Sequence, residues 1–319
     1  MHILRRILLV VLALVALPWA GLAVYAYWPV PAATASAREL AGAADRVIPV
    51  DGMDLRYREF GARGPGRPNL LLVHGFANSL QSFRLLAPLL AVDFHVITVD
   101  VPGFGLSAKP AAHDYGNAAQ ARTIADFAAA LGLERYIVGG HSMGGTLAVY
   151  VAAVDPHVTG VVLMNPGIIT TGVPSFMKYP VWPIPRVMAR LFATPGFRES
   201  SLRRSFLDPS LVTAQVMADV MLATRSTDYL DGMTSLMSQY GSGREPAVAR
   251  RVHVPTLVVW GEQDHSKPAG EAEAVRALIP GARLVTVPDA GHYVHEEQPA
   301  AVAAAITAAV RGWRGQDGN

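Results

Sequence analysis

Ser142 stands between glycines in the segment GHSMG, residues 140–144. The spacing fits the G-x-S-x-G turn, whose glycines let a strand and a helix approach closely while the serine points outward. The run YIVGG before the turn predicts a strand, and the run MGGTLAVYVAAV after it predicts a helix. A serine at the positive end of that helix dipole is a candidate nucleophile for attack on a carbonyl carbon.

A serine nucleophile needs an imidazole base, and the base needs a carboxylate that fixes its tautomer and stabilises the imidazolium. For a serine on this kind of turn, the acid and then the histidine follow later in the chain, each after a strand. Two acids meet this condition, because Asp264 lies just past the strand-like run VVWG and Glu262 lies two residues earlier. His292 lies in the loop after the last strand-like run and is the candidate base.

Other histidines are weaker candidates for the base. His265 is typical of a surface histidine, and His295 opens the next helix, where a solvent-exposed or helix-capping role explains it. His292 follows a glycine at the tip of its loop, so we assign the base to His292. His74 and His141 are expected to be buried, hydrogen-bonded turn residues.

The tetrahedral intermediate of acyl transfer needs two backbone N–H donors. The first is expected from Met143, at the start of the helix that follows the nucleophile. The second is expected after the third strand, where the segment LLVHGFANS turns at His74 and Gly75. The N–H of Phe76 is therefore the natural second donor.

The elements that must position these residues follow from hydrophobic periodicity. From residue 45 onward, strand-like runs alternate with helical patterns. RVIPV and MDLRYREFG predict an opening antiparallel pair, with the Asp51-Gly52 step as its turn. The later runs are apolar nearly throughout, as in parallel strands covered on both faces. The alternation predicts an α/β fold with a mostly parallel, doubly wound sheet.

Residues 167–246 hold no strand-like run and predict a helical cap inserted between two strands of the core. This quarter of the chain carries six of the ten methionines. Methionines fill irregular cores, but as a set above the carboxyl edge of a sheet they favour a deformable apolar cavity. The candidate substrate-binding residues of the cap are Met177, Trp182, Met188, Met217, Met221, Met233 and Met237.

An uncharged stretch of 22 residues, Ile7 to Trp28, lies near the start of the sequence. As a helix it spans about 33 Å, enough for a bilayer core of about 30 Å. Arg5 and Arg6 precede it and aromatic residues close it, as the positive-inside rule and the aromatic belt require. We expect a single-pass membrane anchor, with the remaining chain outside the cytoplasm. A signal peptide cleaved near AATASA, residues 32–37, is the alternative, and a buried core helix is the least favoured interpretation.

These segments divide the chain into four parts. The parts are an anchor and tether at 1–36, a first core segment at 37–166, the cap at 167–246 and a second core segment at 247–319.

Composition excludes several classes of protein. Cysteine is absent, which excludes a disulfide framework, a thiolate metal site and a cysteine nucleophile. Once Arg5 and Arg6 are set aside, the Lys and Arg count falls from 27 to 25 and equals the Asp and Glu count of 25. No basic stripe stands out, so no nucleic-acid partner is expected. Neither a metal nor a cofactor is expected.

Five short segments together resemble the α/β-hydrolase superfamily, in order and across nearly all of residues 45–313. They are HGF, DVPGFGLS, GHSMGG, WGEQD and the GH of residues 291–292. The second segment implies a structural role for Asp100. Similar dehalogenases and epoxide hydrolases carry aspartate at the position of Ser142, so the resemblance excludes those activities.

The resemblance also assigns roles to the residues singled out above. It implies that Ser142 is the nucleophile, Asp264 the acid and His292 the base. It implies an oxyanion hole formed by the backbone of Phe76 and Met143, beneath a cap formed by the insertion.

A single N-terminal span with a methionine-rich cap looks most like membrane-anchored bacterial lipases and phospholipases A. The resemblance thus implies a serine hydrolase of carboxylic esters, with acyl lipids as substrates. It also implies that the anchor lies in a bacterial inner membrane, with the catalytic domain on the periplasmic side. An exported small-ester carboxylesterase, or a C–C hydrolase or perhydrolase on the same triad, is the alternative, and intact Ser, Asp and His disfavour a non-catalytic binding protein. Ala16 and Ala20 form a small-xxx-small pair, so a homodimer through the span is left open.

Overall fold

The computed structural model describes residues 2–31, 33–172, 180–239, 241 and 243–316. These residues form one eight-stranded sheet with the order β1-β2-β4-β3-β5-β6-β7-β8. The strands are β1 (Arg46–Val50), β2 (Met53–Phe60), β3 (Asn69–Val73), β4 (His95–Val99), β5 (Tyr136–His141), β6 (Val158–Met164), β7 (Thr256–Gly261) and β8 (Arg283–Val287).

Strand β2 runs antiparallel to β1 and β4, and the other neighbouring strands are parallel. The predicted opening antiparallel pair is confirmed, and Asp51 and Gly52 both have positive φ at its turn, 47° and 75°. Two consecutive positive φ angles match the right-handed twist of paired strands. The predicted α/β class with a mostly parallel sheet is likewise confirmed.

Helices lie on both faces of the sheet and above one edge. They are α1 (His2–Tyr27), α2 (Ala37–Leu40), α3 (Leu86–Leu90), α4 (Asn117–Ala130), α5 (Met143–Val154), α6 (Ile184–Phe192), α7 (Pro195–Ser205), α8 (Ala214–Met221), α9 (Tyr229–Gln239), α10 (Glu245–Ala249), α11 (Glu271–Leu278), α12 (Val294–Glu297) and α13 (Pro299–Gln316).

The core divides along the two faces of β3. Leu71 and Val73 pack with α4, α5 and α11 on one face, whereas Leu70 and Leu72 pack with α3 and α13 on the other. Side chains alternate between the faces of a strand, so one apolar strand supplies both layers. This explains why the run NLLLV is apolar throughout.

The predicted cap range contains α6 to α9 and two 3-10 turns, Pro209–Leu211 and Leu222–Arg225, and α10 crosses its predicted end. Met233 and Met237 of α9 are buried with Val101 and Phe104 of the core. The cap is therefore packed onto the sheet domain through apolar side chains. Its predicted boundaries stay a prediction.

Helix α1 is long and apolar enough to cross a membrane, and none of its most apolar 18-residue window is buried. A core helix would be buried, so the exposure leaves two interpretations of α1, a membrane anchor or a signal sequence. The carboxyl end of α1 packs against α6, where Arg186 Nε and Arg190 Nη1 donate to the Ala26 carbonyl at 3.2 and 3.4 Å. Trp182 stacks on Tyr27 with ring centroids 6.0 Å apart and donates to its hydroxyl oxygen.

Candidate active site

Ser142 occupies a strained turn between β5 and α5. Its φ of 51° and ψ of −115° lie in a region that residues with a side chain rarely adopt. Neighbouring backbone holds it there, because its N–H donates to the Met164 carbonyl at 3.0 Å and its carbonyl accepts from Gly167 N at 3.0 Å. Strain of this kind persists only where the surroundings enforce it, and it is concentrated at functional sites.

The glycines of the turn are required by close backbone contacts. A Cβ on Gly140 would overlap the Gly144 carbonyl, and a Cβ on Gly144 would overlap the Val73 carbonyl of β3. Strand β5 and helix α5 thus approach more closely than side chains allow. This is the physical origin of the spacing around Ser142.

The structure brings three predicted residues into one hydrogen-bonded chain. Ser142 Oγ lies 3.0 Å from His292 Nε2, and His292 Nδ1 lies 2.8 Å from Asp264 Oδ2. With the Nδ1 proton donated to the carboxylate, Nε2 is free to accept the serine proton. A hydroxyl in this arrangement can act as a nucleophile.

The Asp264 carboxylate is buried, and burial by itself raises its pKa. Hydrogen bonds and the charge of His292, with hydrogen bonds from Ser266 and Asn165, outweigh burial and lower the pKa to about 2. Asp264 therefore carries its negative charge throughout the neutral range, as a partner that fixes an imidazole tautomer must.

Asn165 and Ser266 support the carboxylate and were missed in the sequence. Asn165 Nδ2 donates to Asp264 Oδ2 at 2.7 Å, while its Oδ1 accepts from Gly261 N–H at 3.1 Å. Ser266 Oγ donates to Asp264 Oδ1 at 2.6 Å. The available signal was a polar residue at the end of the apolar run VTGVVLMN, on the strand that pairs with β7.

The competing acid Glu262 and the competing bases His265 and His295 are not part of this hydrogen-bonded chain. Glu262 and His265 are exposed. The expectation for His295 was wrong, because its side chain is fully buried and its Nε2 lies 2.7 Å from Ser82 Oγ. Burial, followed by the charges of Arg84 and His292, lowers the pKa of His295 to about 3. His295 is thus a neutral core residue.

His74 and His141 are buried and hydrogen-bonded, as expected. His74 Nε2 accepts from Val101 N–H at 3.2 Å, and its Nδ1 donates to the Gly75 carbonyl at 2.7 Å. His141 Nε2 donates to the His292 carbonyl at 2.9 Å. Burial lowers the pKa of both imidazoles, so both stay neutral and serve to hold backbone near the serine.

The implied role of Asp100 also has a clear basis. Its carboxylate is fully buried, accepts from Leu80 N–H and Leu106 N–H at 2.7 Å each, and forms an ion pair with Arg56 at 3.0 Å. These bonds tie the loop after β4 to the loop after β3.

The two predicted oxyanion donors belong to the loop after β3 and to the start of α5. Phe76 lies in a turn closed by the Asn78 N–H donating to the Gly75 carbonyl at 3.2 Å, and it lines the same cavity as Ser142. Met143 is the first residue of α5, and the N–H groups of a first helical turn have no acceptor within their own helix. Their role as donors stays a prediction.

A cavity of about 350 Å³ opens above Ser142 and His292. Its volume is within the range of small-molecule sites, about 300–1,000 Å³. The apolar part of its wall comes largely from the cap: Met188 and Phe192 of α6, Phe197 and Leu202 of α7 and Met237 of α9.

Two of the cap candidates, Met188 and Met237, line this cavity. Met233 is buried in the core, Met217 packs beside Phe206 and Val216, and Met221 is half-buried at the end of α8. Trp182 contacts α1 instead of the cavity. Met177 lies outside the described residues.

A family model for the alpha/beta hydrolase fold matches residues 68–299. The chain therefore belongs to the α/β-hydrolase family. It has a hydrolase fold of the kind found in bacterial lipases.

Individual relatives within this family have different activities in their names. The crystal structure of a membrane phospholipase A, described as a bacterial virulence factor, is 26% identical with a TM-score of 0.70, covering 98% of this chain and 99% of that one. Lipase 1 of Psychrobacter immobilis is 28% identical, with 71% of each chain covered. Haloalkane dehalogenase 2 of Mycobacterium tuberculosis is 29% identical over 75% of this chain and 86% of its own length. The chain has similar identity, 26–29%, to relatives with such different names, so the site and not the identity must decide which reaction is proposed.

Proposed function

We propose that the protein is a membrane-tethered serine hydrolase that cleaves carboxylic esters of acyl lipids. The observation that carries the proposal is the chain of hydrogen bonds from Ser142 through His292 to Asp264, at the floor of a largely apolar cavity. The serine separates it from aspartate-dependent dehalogenases, and the apolar wall favours an acyl chain.

The proposed reaction passes through an acyl-enzyme. Ser142 Oγ attacks the ester carbonyl while His292 Nε2 takes its proton, and the imidazolium then protonates the leaving alcohol. Backbone N–H groups of Phe76 and Met143 stabilise the oxyanion. Water, activated by His292, attacks the acyl-enzyme and releases the fatty acid, which regenerates Ser142.

The substrate class follows from the cavity wall. Methionine and phenylalanine side chains from three cap helices give an apolar surface that can adapt to a flexible chain. Burying each acyl CH₂ gains about 0.8 kcal/mol, so a chain of several carbons contributes several kcal/mol. Likeness to a membrane phospholipase A supports lipid esters in preference to short soluble ones.

The location is proposed from α1. With Arg5 and Arg6 inside and the aromatic end outside, the helix crosses a bacterial inner membrane once and leaves the catalytic domain on the periplasmic side. Helix α6 holds the end of α1 through Arg186 and Arg190 and also carries Met188 into the cavity. The cavity would then lie next to the outer leaflet, where its substrates are. A homodimer through α1 stays a prediction.

The test has two parts. A fluorophosphonate probe should label the wild-type protein and leave Ser142→Ala unlabelled, whereas equal labelling of both would contradict the assignment of the nucleophile. Full-length protein incubated with mixed membrane lipids should release fatty acids and lysolipids. Labelling at Ser142 without release from any lipid, together with rapid cleavage of acetyl esters, would replace the lipase by a small-ester carboxylesterase.

A further inference from the structure

Arg198 on α7 is a buried cation in the wall of the cavity above Ser142, and it also lines a much smaller pocket beside Asn78 and Tyr229. The residue is only 4% exposed and lies in the cavity wall. Its Nη2 has no hydrogen-bond partner among the residues that the structure describes. The guanidinium carbon lies 5.4 Å from the ring centroid of Phe192, and Tyr229 and Tyr293 are also close. Burial lowers the pKa of Arg198, which reflects the cost of holding the charge there.

An unpaired buried guanidinium is unfavourable unless something binds it. Moving a charge out of water costs far more than a cation–π contact with one ring returns. The other deeply buried arginine, Arg56, forms ion pairs with Asp45 and Asp100 at 3.1 and 3.0 Å. Arg198 has no carboxylate in that position among the described residues. Its natural partner is therefore a molecule that enters the cavity.

The charges around the cavity favour an anion. Lys267 is the other cationic residue of the described wall, with its Nζ donating to the Thr170 carbonyl, and that wall contains no Asp or Glu. Asp264 is not part of this wall, and its carboxylate oxygens accept hydrogen bonds from His292, Ser266 and Asn165. Asp264 and Glu271 lie close enough to Lys267 to favour its charge, so a neutral ester would leave the Arg198 guanidinium as the wall cation without a carboxylate among the described residues.

We infer that Arg198 binds an oxyanionic group of the substrate, a phosphate or a carboxylate, so that the cavity selects anionic acyl esters over neutral ones. The inference rests on the proposed ester hydrolase and names the substrate class of the same site. A guanidinium suits such groups because its planar donors can form two parallel hydrogen bonds to one oxyanion.

Binding to a protein that cannot turn over tests the inference without relying on activity. In a Ser142→Ala background, calorimetry compares monooctanoylglycerol phosphate with monooctanoylglycerol, and octanoate with octanol. The preference for the anion of a pair should fall about 10- to 100-fold in Arg198→Gln, the range expected for hydrogen bonds to a charged group. If Arg198→Gln loses the anion preference within the phosphate pair, the ligand is a phosphate. If it loses the preference within the octanoate pair alone, the ligand is a carboxylate.

A matched control lies on the same helix. Arg204 is exposed and donates to Ser200 Oγ, so Arg204→Gln removes an equal charge from α7 without touching the cavity. It should keep the anion preference of the parent. If the parent binds anionic and neutral ligands equally, or if Arg204→Gln lowers the preference as much as Arg198→Gln, the inference is overturned.

Thermal stability separates a binding role from a structural one. Removing an uncompensated buried charge should leave the melting temperature of Arg198→Met, without ligand, at or above that of the parent. A marked fall in melting temperature would show that Arg198 holds the fold together and would overturn the inference. Arg198→Lys keeps the charge but loses the paired donors, so it should show an intermediate anion preference. Because binding is measured with Ser142→Ala, a failure of the proposed hydrolysis would appear separately, in turnover by the wild type.

Discussion

The floor and the roof of the cavity are built differently. The floor, with Ser142 and His292, is set by loops at the carboxyl ends of strands, where backbone hydrogen bonds and glycine contacts fix each atom. The roof, with Met188 and Phe192, is set by side chains of cap helices packed against one another. In this protein, backbone constraints therefore fix the positions of the reacting groups, whereas side-chain packing fixes which substrates fit the cavity.

The floor and the roof should therefore respond differently to substitution. A small displacement of a reacting group costs a large factor in rate, because attack requires alignment to a fraction of an ångström. An apolar wall tolerates changes of similar volume at a cost of about 1.5 kcal/mol or less. Substitutions on the floor should act on every ester, and substitutions on the roof should discriminate between esters.

The largest effect is expected at the floor. Ser142→Ala and His292→Ala should each lower kcat for a p-nitrophenyl ester by about 10⁶, because each removes the same step. The double variant should be little worse than either single variant. Steady-state kinetics on the three proteins measure this, and additive losses would mean that the two residues act in separate steps.

A smaller loss is expected at Asp264. Asp264→Asn should lower kcat by about 10⁴, because the amide favours the wrong tautomer of His292. Glu262→Gln is the matched control, since Glu262 is exposed two residues away and should leave kcat nearly unchanged. A severe loss in Glu262→Gln with a mild one in Asp264→Asn would reverse the assignment of the acid.

The same carboxylate should make the floor sensitive to acid. The pKa of Asp264 is about 2 in the fold against 3.8 for an ordinary aspartate, so ionisation stabilises the fold. That contribution, about 2 kcal/mol, is present above about pH 4 and is lost as the pH falls towards 2. In urea unfolding, the difference in the free energy of unfolding between wild type and Asp264→Asn should therefore shrink by about 2 kcal/mol between about pH 4 and pH 2. A constant difference between the two proteins would contradict the lowered pKa, and Glu262→Gln should follow the wild type.

The sequence predicted the floor better than the roof for a physical reason. The turn at Ser142 is a local pattern, because the glycine contacts that require it involve neighbours in the chain and one adjacent strand. Ser142, Asp264 and His292 follow β5, β7 and β8, which all belong to the parallel part of the sheet, so their order in the chain is the order of these strands. Both constraints can be read without knowing how distant side chains pack.

The roof and the supporting residues depend on tertiary packing, which periodicity does not specify. Asn165 contacts Asp264 only because β6 and β7 are neighbours in the sheet. His295 looks like a surface helix residue in the sequence, yet Ser82 and its surroundings bury it completely. Met188 and Met217 are the same residue type on cap helices, but only the first lines the cavity.

The smallest effect is expected at the roof, where Met188→Ala should change selectivity. Removing the methionine takes away apolar surface equivalent to one or two CH₂ groups, about 1–1.5 kcal/mol of contact with an acyl chain. The ratio of kcat/KM for p-nitrophenyl octanoate to that for the acetate should therefore fall about tenfold. An acetyl group offers much less apolar surface to this wall, so the acetate should be affected much less.

Met217→Ala is the matched control, since Met217 packs against the apolar cluster around Phe206 and Val216 and does not itself line the cavity. It should lower thermal stability through the cavity that it leaves, while keeping the octanoate-to-acetate ratio of the wild type. If both variants change the ratio equally, selectivity depends on the stability of the cap as a whole and not on its lining. If neither changes it, the acyl chain lies elsewhere, and the roof is a lid over a small pocket.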